Sequence, residues 1–428
     1  MPTALFFPRY LGGGFGHVSR CLALAEELKK RNWHTSFSLA GAHAQKVLQA
    51  GHPVYQPRHP FRPKVEEGDS PAFTVFSDMG FQLVHDRFHS PRIVKASVRE
   101  MRRLIKCVRP DVLIGDAWPL TNIAGQLASL PVVQIVRSAI HPAAPKLMWW
   151  QDSPAGLVSP DPRPIFNPVL RRHGLPEIQR AEDLLNGDLL LVPSVPELDP
   201  LPEEVNGNTH FVGALTLNNA ESTKRPLWLY TLDPNRPVVY VTIGGGASLV
   251  GSRRFFAAVD EALDGTGWQG VISTSARFSP SELGPPPPNV RLEAWVPGPA
   301  VIACADVLVF HGGYGTMMET LRCGTPSIVL PFHTEQEANG RRLEASGAAQ
   351  VLLPSQEPLQ PVPGRWKGGR FVILVRQCCD LTAAALRKAI SEGLENESYR
   401  QNAHRLSQEL TRYGGPSQAA DLIESLVP

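Results

Sequence analysis

The 428-residue chain has little cysteine, no excess of either charge sign and no long apolar run, and each shortage excludes something. Its six cysteines (Cys21, Cys107, Cys304, Cys323, Cys378 and Cys379) form no C-x-x-C pair. Their scatter argues against a disulfide framework or a zinc site, and for reduced thiols in a cytoplasmic protein. With 42 basic and 40 acidic residues the net charge is +2, so nothing favours non-specific nucleic-acid binding. No hydrophobic stretch approaches the length that crosses a bilayer. The start, Met1-Pro2-Thr3-Ala4-Leu5-Phe6-Phe7, has neither a basic region nor a cleavage site and reads as a first strand rather than a signal peptide. There is no D-x-D motif to hold a metal through carboxylates, so none is expected.

What is present is the composition of a globular protein, 43% hydrophobic and 19% charged, and a length that predicts two domains. Short apolar runs alternate with amphipathic helical patterns through residues 3–136. The pattern begins again at Val238 and runs to about residue 352. This predicts an α/β fold, with two Rossmann-like, doubly wound parallel sheets. The expected division is 1–217 for an N-terminal domain and 238–408 for a C-terminal one. A polar linker at 218–237 separates them, and a final helix occupies 409–428. The proline-rich stretches 57–90 and 138–180 read as long loops, and residues 354–380 fit no pattern.

Chemistry concentrates at strand-to-helix turns. Val307-Leu308-Val309-Phe310 reads as a buried strand, followed by His311-Gly312-Gly313-Tyr314-Gly315-Thr316 and a helix. A glycine turn entering a helix aims unpaired backbone N–H groups at one point, which attracts a phosphate. His311, Gly313, Gly315 and Thr316 are the candidate donors there. Glu319 either closes a capping box with Thr316 or reaches the cleft to hold ribose hydroxyls. Nineteen residues beyond Thr316, the pair Glu335-Gln336 could read sugar hydroxyls. A second turn, Thr242-Ile243-Gly244-Gly245, could approach a diphosphate from the other side. Trp295, followed by Val296, either stacks on a nucleobase or packs in the core.

Near the start, Gly12-Gly13-Gly14-Phe15-Gly16-His17-Val18-Ser19-Arg20 joins the first strand to the first helix. The G-x-G-x-x-G dinucleotide spacing fails at Ser19, and no acid closes the second strand. Gly14 and Gly16 instead read as part of the donor cleft. His17 at a helix N-terminus stays neutral and able to accept a proton, unless it merely caps the helix. Asp116, at the carboxyl end of the strand 110–116, could fix the His17 tautomer, or could cap the next turn. Trp149-Trp150 either lines an acceptor pocket or covers the core. The helix from Pro91 carries Arg92, Lys95, Arg99, Arg102, Arg103, Lys106 and Arg109. Such a face is either simply solvated or in peripheral contact with anionic lipid.

The run Trp295-Val296-Pro297, His311-Gly312-Gly313-Tyr314-Gly315-Thr316, Glu319 and Glu335-Gln336 resembles the C-terminal signature of GT-B nucleotide-sugar-dependent glycosyltransferases. It is most similar to the macrolide and plant natural-product enzymes. The resemblance is strong over 290–350 and weaker at 3–31 and 110–137. It departs at Gly298, where the family often has glutamine, and at Tyr314-Gly315, where plant members have Trp-Asn. It implies two Rossmann-like domains facing a central cleft, with the final helix crossing back to the first. It also implies that His311 and Thr316 contact the diphosphate, Glu319 the ribose, and Glu335 and Gln336 the sugar. His17 would be the general base and Asp116 its partner. The implied activity is inverting, metal-independent transfer from a UDP- or dTDP-sugar co-substrate to a small lipophilic acceptor, a natural product or a glycolipid precursor. The first-helix motif is also similar to nucleotide-sugar hydrolases of the same fold. The alternatives are therefore a hydrolase or a non-catalytic relative that binds a partner enzyme.

Overall fold

Alternating side chains on each central strand feed two different cores, and this makes both sheets two-sided. In β1 (Thr3–Pro8), Ala4 and Phe6 join one buried cluster while Leu5 and Phe7 join another. The computed structural model describes residues 1–427 except 12–13, 42, 58–70, 77–78, 145–152, 204, 206, 218–224, 245–251 and 276–278. Trp149, Trp150, Gly245, Gly12, Gly13 and the first part of the expected linker lie outside the described residues.

The N-terminal sheet has seven parallel strands in the order β3-β2-β1-β5-β6-β7-β8. Beside β1 these are β2 (His34–Ser38), β3 (Val54–Tyr55), β5 (Val112–Asp116), β6 (Val132–Ile135), β7 (Leu189–Val192) and β8 (Thr209–Phe211). The C-terminal sheet has six in the order β11-β10-β9-β12-β13-β14. They are β9 (Val238–Thr242), β10 (Gln269–Ser273), β11 (Val290–Glu293), β12 (Val307–Phe310), β13 (Ser327–Val329) and β14 (Ala349–Val351). In each sheet the chain winds outward in both directions from a central pair, β1/β5 and β9/β12. That reversal opens a crevice at the carboxyl ends, where open α/β sheets bind ligands.

Three stretches depart from expectation. The proline-rich 57–90 and 138–180 are not simply loops: they contain β4 (Phe73–Val75) and the helices Met79–His85 and Arg163–Arg172. Pro164 sits in the first turn of the latter helix, where it leaves no helical bond unmade, and Ile165, Phe166, Val169 and Leu170 supply a buried face. Residues 354–380 contain an antiparallel hairpin, β15 (Gln360–Trp366) and β16 (Gly369–Arg376).

That hairpin joins the domains. β16 pairs with β4 of the N-terminal half, Leu374 opposite Val75, and Val158 bridges Val372. Phe73, Val75 and Leu374 form a small buried cluster. The Thr334 hydroxyl accepts from Phe76 N (3.1 Å) and donates to Thr74 O (3.3 Å). At the other end of the chain, the Pro416–Leu426 helix packs on the Gly16–Lys30 helix, burying Ala419, Ala420 and Ile423 in the first-domain core. Trp33 Nε1 donates to Glu424 across that contact (3.1 Å).

Truncating Leu374 to Ala should cost about 2–5 kcal/mol, the usual range for a buried leucine. It should appear as a lower thermal midpoint together with faster proteolysis between the domains. An unchanged midpoint would mean that the cross-domain sheet contributes little.

Candidate active site between the two domains

Register brings the first group of residues together. Pro8, at the end of β1, lies opposite Asp116 at the end of β5. The chain leaves β1 and enters the Gly16–Lys30 helix, whose N-cap, Phe15, makes no side-chain capping bond. His17 is therefore not a cap: its Nδ1 lies 2.6 Å from Asp116 Oδ1. Asp116 does not cap the following helix either. Its carboxylate also accepts from Arg20 Nε at Oδ2 and from Arg20 Nη2 at Oδ1, each at 2.8 Å. Arg20 follows His17 by three residues, so the two share one helix face.

The electrostatics follow from burial. Asp116 is wholly inaccessible, while 26% of the His17 side chain is open. Burial alone raises the Asp116 carboxyl, but Arg20 and His17 outweigh it and hold the group below the ordinary carboxylate range. Burial lowers the His17 imidazolium, Arg20 and Arg9 push the same way, and Asp116 opposes them without prevailing. His17 is thus neutral near pH 7. Donating Nδ1–H to the ionised carboxylate leaves the Nε2 lone pair to accept a proton.

The second group faces the first. The Tyr314–Cys323 helix begins at Gly313, again with no side-chain cap, so its first N–H groups depend on something outside the helix. Gly312 adopts φ +83°, and a Cβ there would come within 2.6 Å of the Gln336 carbonyl oxygen. A Cβ on Gly313 or on Gly244 would lie 2.3 Å from the His311 ring. The ring therefore fills the space between the two glycine turns, which share one crevice. Burial pushes His311 down to about 4, so it too is neutral. A Cβ on Gly315 would stand 4.0 Å from Gly16 Cα. Two uncapped helix N-termini, one from each domain, thus converge on a narrow gap, and their partial positive charges favour an anion there.

The remaining candidates divide. Trp295 is 63% exposed, which removes the core-packing alternative. Val296, by contrast, is buried with Ala300 and Val301, so only its backbone is available to a ligand. The Thr242 hydroxyl accepts from Gly244 N (3.3 Å) and shapes its own turn. Glu319 does not box with Thr316: it pairs with Arg322 (3.0 Å), and burial raises its carboxyl despite that partner. Gln336 Oε1 accepts from Phe332 N (2.8 Å), which holds the turn before its helix. Glu335 is ion-paired with Arg137 of the other domain. Burial would raise the Glu335 carboxyl, but Arg137 outweighs it and holds it down at about 2.

Arg20 and Arg137 were not singled out from sequence. Arg137 also donates to Asn339, and its guanidinium lies 4.2 Å from the centroid of the Tyr314 ring. Arg20 sits over the same ring at 5.4 Å. The Tyr314 hydroxyl lies 2.8 Å from Pro193 O and 3.1 Å from Asp199, which pairs with Arg342 at 2.5 Å. For Arg20 a signal existed, its i+3 spacing from His17. For Arg137 there was none, because its partners are some 200 residues away.

A cavity of about 300 Å³ lies at the carboxyl edge of the first sheet. Its walls include Phe7, Tyr10, Tyr55, Met101, Leu104 and Trp118, the last only two residues beyond Asp116. Tyr10 and Trp118 stack with ring centroids 5.7 Å apart. Among the described residues, no three His, Cys, Asp or Glu side chains gather as a metal-holding group.

Comparison with known proteins agrees with this architecture. Residues 269–361 match the erythromycin biosynthesis protein CIII-like C-terminal domain. The chain is 25% identical over 356 residues to a PGL/p-HBAD biosynthesis glycosyltransferase of Mycobacterium tuberculosis, covering 78% of each protein. It is 26% identical over 442 residues to the demethyllactenocin mycarosyltransferase of Streptomyces fradiae, covering 96% of this chain and 84% of that one. The spinosyn rhamnosyltransferase SpnG, solved with thymidine diphosphate, superposes with a TM-score of 0.67 at 20% identity over the full length of both chains. The fold is GT-B, two Rossmann-like domains about a cleft. These likenesses make the chain a glycosyltransferase of GT-B fold, and its similarity to the erythromycin biosynthesis protein CIII-like domain spans residues 269–361.

Linkage gives His311 a measurable signature. An unfolded imidazole takes its proton near pH 6.5, whereas the folded ring stays neutral down to about 4. Its contribution to stability is full above 6.5 and falls as the pH drops towards 4, at roughly 1.4 kcal/mol per pH unit. His311→Gln should flatten the pH dependence of the denaturation midpoint between pH 6.5 and 4. An unchanged slope would mean that the ring is not buried in neutral form.

Proposed function

We propose that the protein moves a sugar from a UDP- or dTDP-sugar to a hydroxyl of a small lipophilic acceptor, with inversion and without a metal. The observation that carries this reading is the 2.6 Å His17–Asp116 contact on one side of a gap whose other side is the uncapped Tyr314–Cys323 helix. His17 Nε2 takes the acceptor hydroxyl proton as that oxygen bonds to the anomeric carbon. Attack comes from the face opposite the diphosphate. The bond from that carbon to the diphosphate breaks, and its electron pair leaves with the nucleoside diphosphate. Negative charge develops against the N–H groups around residues 314–316, His311 and Thr316, where fixed donors need no reorganisation. Asp116 stabilises the imidazolium, and Arg20 keeps Asp116 ionised, so Arg20 acts as a positioning residue.

Several features support the finer assignments. Exposed Trp295 is available to stack on the base, and Glu319 lies one turn beyond Thr316, suited to the ribose. Glu335 is suited to the sugar hydroxyls. Gln336 has its side-chain carbonyl engaged, which leaves its amide N–H groups as the donors. The aromatic cavity beside Asp116 suits a flat apolar acceptor. It also favours transfer over hydrolysis, since water needs no such walls. A neighbour solved with thymidine diphosphate makes dTDP the first donor to try.

Thermal-shift titration with dTDP and UDP should raise the midpoint with at least one of them, because the ligand binds only the native state. No response to either would remove the phosphate site. Trp295→Ala should raise the donor KM with little change in kcat. A base–aromatic stack worth about 1–3 kcal/mol corresponds to roughly 5–150-fold.

For His17→Ala we expect a fall of roughly 10²–10⁴ in kcat. The imidazole must be neutral to act, so the acid limb of kcat/KM, which reports the free enzyme, should lie below pH 6.5, where burial and Arg20 place it. Arg20→Met removes a charge that disfavours the imidazolium, so the limb should move to higher pH. A limb that stays in place would show that Arg20 does not tune His17.

A further inference from the structure

The Pro91–Val108 helix carries a feature that sugar transfer does not use. Steps of about 100° per residue place Arg92, Lys95, Arg99, Arg102, Arg103 and Lys106 within an arc of about 100°. The buried Val94, Ser97, Val98, Met101 and Ile105 occupy the opposite side. Arg92, Arg99, Arg102, Arg103, Lys106 and the C-cap Arg109 are exposed, and no acidic side chain among the described residues pairs with them. The one acid of the helix, Glu100, lines the cavity with Tyr10 instead.

Among the described residues, the elements packed against this helix do not neutralise it. Helix Thr121–Ala128 has no charged residue. Around helix Arg163–Arg172, Asp161 and Glu177 are taken by Arg163 and Arg171, and Arg172 adds an exposed cation. On a chain of net charge +2, one face about 27 Å long thus carries six exposed cations that no acid among the described residues pairs with.

We propose that this face docks the protein on an anionic phospholipid surface, so that an amphipathic acceptor can pass from the bilayer into the cavity behind the same helix. The cavity wall is formed by Ser97, Glu100, Met101, Arg103, Leu104 and Cys107, the inner and flanking residues of that helix. One element thus has phospholipid-compatible charge outside and an apolar chamber within. Charge complementarity supplies the attraction, since the apolar stripe of the helix is spent on its own core. Docking is therefore peripheral and weakened by salt over a Debye length of about 8 Å at physiological ionic strength. A nucleic acid is disfavoured because the exposed stripe carries no aromatic side chain for base stacking. The acceptor role of the cavity rests on the function proposed above; the docking face does not.

Flotation of the full chain with phosphatidylcholine vesicles, with and without phosphatidylglycerol, tests the proposal. The wild type should float only with the anionic vesicles and be released by high salt. The variant R92Q/R99Q/R102Q/R109Q should lose roughly fivefold in partition for each cation removed. It should keep its thermal midpoint and its shift with nucleoside diphosphate, because none of these side chains reaches the cleft. Equal partition of wild type and variant would overturn the proposal. So would equal binding to neutral vesicles, no binding at all, or tighter retention by duplex RNA than by vesicles. Failure of the nucleotide shift with docking intact would instead remove the catalytic reading alone.

Discussion

A carboxylate with no access to water orders the His17 side of this cleft. Left alone, the Asp116 carboxyl would be raised by burial, which disfavours the ionised form that accepts from His17. The two-point contact from Arg20 prevents this, because a buried ion persists only when paired and hydrogen-bonded in good geometry. Asp116 then accepts from His17 at the oxygen it shares with Arg20 Nη2. The arginine therefore acts on the histidine twice. It fixes the acceptor of the Nδ1–H bond, and its own charge disfavours the imidazolium. Whatever reacts at His17 Nε2 depends on an arginine one helical turn away.

The same economy holds the domains in register. Tyr314 is the first residue of the helix that faces His17, and its ring lies beneath both Arg20 and Arg137. Its hydroxyl reaches the N-terminal domain at Pro193 and Asp199. Asp199 in turn takes Arg342 and the Ser138 hydroxyl (2.7 Å). This tyrosine pins one domain's glycine turn against the other. The strand pair β4–β16 adds backbone bonds at a second point and the Pro416–Leu426 helix a third. Three separated contacts restrain rotation in a way that one hinge could not.

Much of this was legible in the sequence, for reasons that can be stated residue by residue. The alternation of Ala4–Phe7 and of Val307–Phe310 announced two-sided strands, and the glycines at 312–316 announced an N-terminus without a side-chain cap. Trp295 stayed ambiguous because a strand-end tryptophan satisfies either environment; exposure decided it. The Glu319 box failed because the helix starts earlier, with Gly313 as its N-cap and Thr316 already inside, and Glu319 pairs with Arg322 instead. Arg137 and the 360–376 hairpin were out of reach. Their partners sit in the other domain, and β15 carries Pro361, Pro363 and Gly364, which read as punctuation rather than strand.

An electrostatic argument ties these parts together. Two helix N-termini about one gap place positive potential in a poorly solvated spot, where Arg20 and Arg137 are already balanced by Asp116 and Glu335. Such a field should repel a proton from every basic ring near it. His17 and His311 are both held in neutral form, chiefly by burial, and at His17 Arg20 adds to that effect. The acids that survive here, Asp116, Glu335 and Asp199, each have a cation of their own. Each pair is close to neutral, so the potential left at the gap is that of the helix N-termini. A diphosphate bound there, as proposed above, would meet donors that are already in place. Its arrival would also lessen the penalty on the imidazolium at His17, making that ring a stronger base when donor is bound than when the cleft is empty.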